Sequence, residues 1–223
     1  MICKRQNNYY EISFLRFLHY KFIKRFFDFS LSFFLIIFLS PLFLTIGLLI
    51  RFNSKGSIIY TQKRIGENNK PFSCYKFRTM HPNSKYLLKQ ILIKNPNLKN
   101  EFEKTRKIIN DPRITTIGEF LRFTSLDELP QIFNVFKGDM SFIGPRPIVK
   151  SEIKKYGKNF KKAFSLKPGI SGLWQVSGRN NLSYQRRVEL DVFYSENISF
   201  KIDIKIFVRT LFVLLSPYGK GAF

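Results

Sequence analysis

The sequence predicts a mostly helical α+β fold in one small domain, joined to an N-terminal membrane segment. Helical periodicity recurs along most of the chain, whereas short alternating patterns typical of strands fall within residues 57–80. The run from Phe29 to Ile50 is uncharged and rich in Phe, Leu and Ile. Because 223 residues give room for one core with one appended element, we expect a division into residues 1–52 and 53–223.

The chain is strongly basic. Lys and Arg number 38 against 15 Asp and Glu, a formal charge of +23, which indicates a nucleic acid, an anionic membrane surface or phosphorylated substrates as partner. Cys3 and Cys74 have no zinc-site or disulfide-framework spacing, which favours a reducing, cytosol-facing location. His19 and His81 are isolated, so histidine-based catalysis is not predicted.

The N-terminal region predicts membrane association. Residues 1–24 form a polar, aromatic and basic lead-in with an apolar face over residues 14–18, and the following apolar run is long enough to cross a core of roughly 30 Å. It is too long for a signal-peptide h-region of about 7–15 residues and ends without a small-residue cleavage site. Basic residues flank both ends, and Ser40-Pro41 lies near the middle. The residues alone leave a re-entrant bend and a kinked span open.

A β-hairpin is predicted between Ser57 and Met80, with its turn at residues 66–69. Lys76 and Arg78 fall on one side of its second strand, where both side chains could reach phosphate oxygens. A solvated basic edge strand is the competing interpretation. Residues 82–110 then read as two helices separated at Pro96.

Two adjacent carboxylates, Asp127 and Glu128, precede the next apolar helix. Ser125 and Glu128 have capping-box spacing and Pro130 suits a first turn, so a helix is predicted to begin near here, ending at Lys137-Gly138. At the positive end of its dipole the carboxylates would stay ionised and free N–H groups could hold phosphate oxygens, which suits a nucleophile that attacks phosphorus. The alternative is a capping box with no chemical role.

Two stiff loops follow this helix. Arg146 lies between Pro145 and Pro147, which restrict the backbone that presents its guanidinium. Residues 167–179 contain Trp174, Gln175 and Arg179 among glycines, a composition that favours a ligand-facing loop. For Trp174 itself, a plain core anchor is an equal alternative.

The C-terminal part predicts two more helices. Residues 184–194 read as a polar helix, and residues 202–215 change from mixed to wholly apolar. The second is too short and too charged for a span, so it suits a helix lying in the membrane interface, with core packing as the alternative.

Five motifs in this order resemble the bacterial sugar transferase family, the monotopic polyprenyl-phosphate phosphoglycosyl transferases. The resemblance runs from about Lys24 to the C-terminus. The motifs are Lys76-Phe77-Arg78-Thr79-Met80, Asp111-Pro112-Arg113-Ile114-Thr115, Thr124-Ser125-Leu126-Asp127-Glu128-Leu129-Pro130-Gln131, residues 138–147 with Gly144-Pro145-Arg146-Pro147, and Lys167-Pro168-Gly169-Ile170-Ser171-Gly172.

This resemblance implies transfer of a sugar-1-phosphate from a nucleoside diphosphate sugar to undecaprenyl phosphate, releasing UMP and initiating a cell-surface glycan. Asp127 would be the nucleophile of a covalent intermediate and a ligand of Mg²⁺, with Glu128 assisting. Arg122 and Arg146 match positions that contact phosphate. Ser40-Pro41 matches the helix break of a re-entrant hairpin, and Lys24, Arg25 and Asp28 match a membrane-boundary cluster.

The resemblance also implies partners and a location. A UDP-sugar, undecaprenyl phosphate and the lipid bilayer are expected, nucleic acid is not, and a homodimer is compatible with the polar loops. Residues 172–179 look like those of members that use UDP-galactose or UDP-glucose. The expected place is the cytoplasmic face of the bacterial inner membrane, held monotopically. A basic membrane-surface binding protein without chemistry is the alternative function.

Overall fold

The computed structural model describes residues 2–105, 108 and 110–215, with side chains described from His19 onward except at 97, 101, 103–105, 180 and 214–215. Helices dominate, and the strands form two small sheets, which confirms the predicted mostly helical α+β class. The helices are α1 (Ile2–Phe38), α2 (Ser40–Asn53), α3 (Ser84–Lys94), α4 (Pro96–Thr105), α5 (Thr116–Thr124), α6 (Gln131–Lys137), α7 (Ile153–Tyr156), α8 (Phe160–Ala163), α9 (Tyr184–Glu196) and α10 (Phe200–Leu215). The strands are β1 (Ile59–Ile65), β2 (Pro71–Phe77), β3 (Ser141–Ile143) and β4 (Gly169–Ser171).

The chain folds as two compact units. The first contains the described parts of Met1–Phe38, Gln62–Cys74 and Gln131–Gly221, and the second contains Leu39–Thr61 and Tyr75–Pro130. The predicted division into residues 1–52 and 53–223 stays a prediction.

Several predicted elements are confirmed. β1 and β2 pair as the expected hairpin, and the Gly66 N–H donates to the Lys70 carbonyl across its turn at 2.9 Å. Pro96 begins α4, as the predicted separation of two helices requires. At the end of α6, Gly138 has a φ of 88°, the left-handed conformation that glycine tolerates at a helix terminus.

The bend in the apolar run falls at Leu39, between α1 and α2, and Ser40-Pro41 begins the second helix. Within the described part of the chain, no single helix is long and apolar enough to cross a membrane. The pair His19–Phe38 and Ser40–Asn53, bent by 61°, passes the same test of length and composition together. The predicted apolar face over residues 14–18 lies outside the described side chains.

In the first unit, polar side chains of α1 are tied to its globular part. Arg25 donates to the carbonyls of Val135 and Phe136, at 2.6 and 2.8 Å, and so satisfies carbonyl groups near the end of α6. Asp28 accepts the Phe142 N–H at 3.1 Å, and Lys24 pairs with Asp203 on α10. The charged residues that precede the apolar run therefore stabilise tertiary structure.

β3 and β4 of the first unit pair in parallel, with Ser141 opposite Gly169 and Ile143 opposite Ser171. Their backbones approach so closely after β3 that a Cβ on Gly169 would lie 2.1 Å from the Gly144 nitrogen. Only glycine fits there. The segment that leads to Arg146 is thus supported directly by the neighbouring strand.

Helix α10 has one buried side and one exposed side. Ile206 and Asp203 are buried, whereas large apolar side chains including Phe207 and Phe212 are exposed. The helix therefore contributes to the core, as the core-packing alternative expected, and its predicted place in the membrane interface stays a prediction.

The second unit is built around a small core of α2, α5 and the end of β2. Ile46, Ile50, Phe77 and Leu121 are buried together there. Gly118 brings α5 against the backbone of Thr79, just beyond β2, because a Cβ at this position would lie 2.0 Å from the Thr79 carbonyl oxygen.

This contact predicts that Gly118→Ala destabilises the protein. Alanine in a helix interior is ordinarily favoured over glycine by about 1 kcal/mol, but overpacking here should cost about 1–3 kcal/mol. Gly47 in α2 is the matched control, since its Cβ would meet only Ile58 side-chain atoms, the nearest at 3.5 Å. In thermal unfolding we expect a lower midpoint for Gly118→Ala and an unchanged or higher one for Gly47→Ala. Equal midpoints would refute the close contact.

Candidate active site

The two adjacent carboxylates lie in a 3-10 turn, Leu126–Glu128, between α5 and α6. Ser125, in the left-handed conformation with a φ of 60°, ends α5, and its N–H donates to the Arg122 carbonyl. The predicted capping box is therefore wrong, because Ser125 acts as the C-terminal cap of one helix and its side chain does not cap the next turn. Asp127 and Glu128 precede Gln131, where α6 begins, and do not lie inside its first turn.

Lys76, at the end of β2, provides the positive charge for this pair. Its Nζ lies 2.6 Å from Glu128 Oε1 and 3.7 Å from Asp127 Oδ2. The side chains of Lys76, Asp127 and Glu128 are 20%, 13% and 23% exposed, so they are shielded without being sealed from solvent. Neighbouring carboxylates repel each other, and a cation that touches both lowers the cost of keeping both charged. The structure thus places Lys76 beside the carboxylates, and its predicted contact with substrate phosphate stays a prediction.

Arg122, on the last turn of α5, is held beside the pair by a residue that sequence reasoning did not single out. Its Nε donates to the Thr79 hydroxyl at 3.0 Å. Burial lowers the pKa of Arg122, while the charges of Asp127 and Asp111 oppose that shift. The guanidinium stays charged in proteins, so it forms a partly buried positive group near the carboxylates.

Asp111 and Arg113, also in the second unit, form an ion pair. Burial alone would raise the pKa of Asp111, but hydrogen bonds from Arg113 hold it below its usual range. Both side chains are largely buried, and the Arg113 backbone N–H also donates to the same carboxylate, at 3.0 Å. This motif therefore fixes the turn that precedes α5.

Arg78 does not share the surroundings of Lys76. Its guanidinium donates to the carbonyls of Ser54 and Lys55, at 2.6 and 3.0 Å, and to the Ser54 hydroxyl at 2.9 Å. These groups follow the end of α2, where carbonyls have no helical partner. The geometry favours a structural part for Arg78, and its phosphate-binding part stays a prediction.

Arg146 and the predicted donor loop belong to the first unit. Trp174 is buried, in a 3-10 turn (Trp174–Val176), and the Arg187 guanidinium lies 4.9 Å from its ring centroid. Gln175 donates to the Ile170 carbonyl at 3.3 Å, and Arg179 Nε donates to the Gln175 carbonyl at 3.3 Å. The loop is thus internally braced, and burial of Trp174 supports the core-anchor interpretation.

The carboxylate pair has the donor chemistry that suits Mg²⁺. This ion is usually held by one or two carboxylates together with substrate phosphates and water. Among the described side chains, no group of three or more His, Cys, Asp or Glu residues is placed to hold a metal. Asp127 and Glu128 fit a site that substrate oxygens complete.

A family model for bacterial sugar transferases matches residues 19–217. This range includes the turn that carries Asp127 and Glu128, the arginines Arg122 and Arg146, and the loop that contains Trp174. The chain belongs to the bacterial sugar transferase family. This confirms the predicted family.

Named relatives agree with the family. An "Undecaprenyl-phosphate galactose phosphotransferase" of Salmonella typhimurium is 46% identical over 199 residues, covering 89% of this chain and 42% of the relative. The "Exopolysaccharide production protein ExoY" of Sinorhizobium fredii is 44% identical over 188 residues, 84% of this chain and 83% of the relative. A "UDP-glucose:undecaprenyl-phosphate glucose-1-phosphate transferase" of Klebsiella pneumoniae is 35% identical over 197 residues, 85% of this chain and 39% of the relative. The chain thus spans less than half the length of the Salmonella and Klebsiella relatives.

The contacts of Arg78 predict a loss of stability in Arg78→Ala. Removing the guanidinium leaves carbonyls beyond α2 without a donor, and hydrogen bonds with charged groups contribute about 1.5–3 kcal/mol each. Arg51→Ala is the matched control, since Arg51 is exposed and its hydrogen bond to the Gly56 carbonyl is long, at 3.5 Å. Denaturant unfolding should show a loss of about 3 kcal/mol for Arg78→Ala and less than about 0.5 kcal/mol for Arg51→Ala. Unchanged stability with lost activity would instead favour phosphate binding by Arg78.

Proposed function

We propose that this protein transfers a hexose-1-phosphate from a UDP-sugar to undecaprenyl phosphate, releasing UMP and initiating synthesis of a surface polysaccharide. Family membership and the names of the Salmonella and Klebsiella relatives support the reaction class. One observation carries the assignment to residues, namely the adjacent carboxylates of Asp127 and Glu128 with Lys76 Nζ 2.6 Å from Glu128 and 3.7 Å from Asp127. A binding protein would not require this arrangement.

Asp127 is the nucleophile in this proposal. A carboxylate oxygen attacks the phosphorus that carries the sugar, the bond to the bridging oxygen breaks, and UMP leaves with that oxygen. The sugar phosphate is then an acyl phosphate on Asp127. In the second displacement an oxygen of undecaprenyl phosphate attacks the same phosphorus, which restores the Asp127 carboxylate and releases the diphosphate-linked sugar lipid.

Lys76 and Arg122 reduce the charge repulsion that opposes the first displacement. A diphosphate repels an incoming carboxylate, so the site must supply positive charge before the oxygen can approach phosphorus. Arg122 is oriented by Thr79, and Lys76 lies closer to Glu128 than to Asp127. Glu128 orients Lys76 and assists.

Mg²⁺ belongs to the same proposal. The carboxylate oxygens of Asp127 would hold it, with Glu128 nearby, and when bound it would neutralise phosphate oxygens during the transfer. Arg146 is proposed as a second phosphate contact, and Trp174, Gln175 and Arg179 as the loop facing the nucleotide sugar. UDP-galactose and UDP-glucose are the favoured donors.

Membrane placement completes the proposal. The bent pair of α1 and α2 would enter and leave the cytoplasmic leaflet on one side, and the exposed apolar face of α10 would lie at the interface. A polyprenyl acceptor keeps its phosphate at headgroup level, so an enzyme held there meets both substrates. The proposed location is the cytoplasmic face of the bacterial inner membrane.

A panel of UDP-sugars tests this function through the Asp127→Asn variant. In nanodiscs with undecaprenyl phosphate and Mg²⁺, wild-type protein should release UMP from at least one UDP-hexose. Asp127→Asn, which keeps the size of the side chain but removes its nucleophilic charge, should lose at least about 1,000-fold in rate. Chelating the metal should also abolish release.

The matched control is Asp139→Asn, because Asp139 is an acid of the first unit that has no proposed chemical part. It should keep most of the wild-type rate. Absence of UMP release with every UDP-sugar would reject the reaction, and full activity of Asp127→Asn would reject the nucleophile.

A further inference from the structure

Arg146 lies between two buried prolines, Pro145 and Pro147, and is itself partly exposed. Neither proline has a backbone N–H, so backbone hydrogen bonds hold this segment chiefly through its carbonyl oxygens. On the N-terminal side, the Gly169 N–H of β4 donates to the Pro145 carbonyl at 2.9 Å. The direction in which Arg146 extends therefore also depends on what holds the Pro147 carbonyl.

The Pro147 carbonyl is held by a side chain, that of Arg64 near the end of β1. Arg64 Nη1 donates to this carbonyl at 3.1 Å. The next residue, Ile65, donates its backbone N–H to the Ile148 carbonyl at 2.8 Å. The end of β1 thus runs beside the residues that follow Arg146, and Arg64 bonds the residue directly after it.

The guanidinium of Arg64 is itself fixed by Gln62. Side chains two positions apart on a strand lie on the same face, and Gln62 Oε1 accepts hydrogen bonds from Nε at 3.1 Å and from Nη2 at 2.8 Å. Because three of its nitrogen atoms donate hydrogen bonds, the planar fork has a defined orientation at the Pro147 carbonyl. Lys63, between these two residues, belongs to the opposite face and donates to Ser73 Oγ at 3.0 Å.

We propose that Arg64 is a positioning residue, which fixes the backbone around Arg146 so that the Arg146 guanidinium meets a phosphate of the UDP-sugar. This rests on the proposed function, in which Arg146 contacts phosphate. A guanidinium binds phosphate through a planar fork, so its hold depends on the direction in which it is presented. Pro145 and Pro147 restrict the backbone torsions of the segment, and Arg64 attaches the segment to β1.

The strand end that carries Arg64 is attached to the first unit by other contacts. In the turn after β1, the Asn68 N–H donates to the Phe164 carbonyl at 2.8 Å. Glu67 in the same turn accepts a hydrogen bond from Lys21 of α1 at 2.8 Å. These contacts remain when the side chain at position 64 is changed. A substitution there therefore tests the hold on the loop between the prolines, and not the path of the hairpin.

Calorimetric titration with UDP-galactose and UDP-glucose tests this role. The full chain in nanodiscs carries Asp127→Asn, so that the UDP-sugar is not consumed. Adding Arg64→Met removes all three hydrogen bonds and keeps an apolar stem, and it should weaken UDP-sugar binding about tenfold, as expected for losing one hydrogen bond from a charged group. Lys63→Met, on the opposite face of the strand, is the matched control and should bind as the parent does.

Two variants separate positioning from the charge of Arg64. Arg64→Lys keeps the positive charge without the fork, so it should lose most of the affinity that Arg64→Met loses. Gln62→Ala keeps Arg64 but removes the acceptor that orients it, and it should weaken UDP-sugar binding by about twofold to fivefold. Gln62→Ala also keeps the test independent of the folding of Arg64→Met. Full affinity in Arg64→Lys would show that the charge alone acts and would contradict positioning.

A double-mutant cycle with Arg146→Lys shows whether Arg64 acts through Arg146. An ammonium group is a point charge on a flexible stem, so its hold on phosphate depends little on how the backbone presents it. In the Arg146→Lys background, Arg64→Met and Gln62→Ala should therefore each weaken binding by less than about twofold. A merely structural role would lower the affinity by the same factor in both backgrounds.

Unchanged affinity in Arg64→Met, or equal losses in the two backgrounds of the cycle, would overturn the inference. The proposed function would survive either result if wild-type protein still released UMP through Asp127. Absence of UDP-sugar binding by the parent, together with absence of UMP release by the wild type, would reject the proposed function and the inference with it.

Discussion

The adjacency of Asp127 and Glu128 is the constraint on which the second unit depends. Two carboxylates at consecutive positions repel each other, and Lys76 contacts both, at 3.7 and 2.6 Å. The segment that supplies Lys76 also supplies Phe77 to the core, Arg78 to the carbonyls beyond α2, and Thr79 to Arg122. Residues 76–79 therefore connect the two carboxylates, the core of the second unit and helix α2.

Acids are scarce in this chain and several are buried. Of 15 Asp and Glu residues against 38 Lys and Arg, Asp28, Asp191 and Asp203 are less than 10% exposed. Asp28 accepts a backbone N–H of the strand β3, and Asp203 accepts hydroxyls of Tyr20 and Tyr194. Each buried carboxylate thus joins segments far apart in sequence, which explains how a strongly basic chain can still fix its tertiary structure.

Local patterns in the sequence predicted the regular elements. The hairpin, the division at Pro96, the glycine after α6 and the helix predicted at residues 184–194 follow from turn residues and periodicity, which act over a few neighbours. Ser125 was wrongly predicted to cap the start of a helix. Serine also occurs where a helix ends, and the structure shows that α5 ends at this residue. The contacts of Arg78, Thr79 and Asp191 were not foreseen, since they join residues distant in sequence. Spacing carries no signal for them.

The central claim is that Asp127 carries the sugar phosphate during transfer. The most direct test is intact-protein mass spectrometry. The enzyme is mixed with Mg²⁺ and a UDP-sugar from which it releases UMP, without the lipid acceptor. The account predicts an added hexose phosphate on the wild type, mapped to Asp127 and lost when undecaprenyl phosphate is supplied, with no adduct on Asp127→Asn. An adduct on Asp127→Asn, or turnover with no adduct at any time, would contradict it.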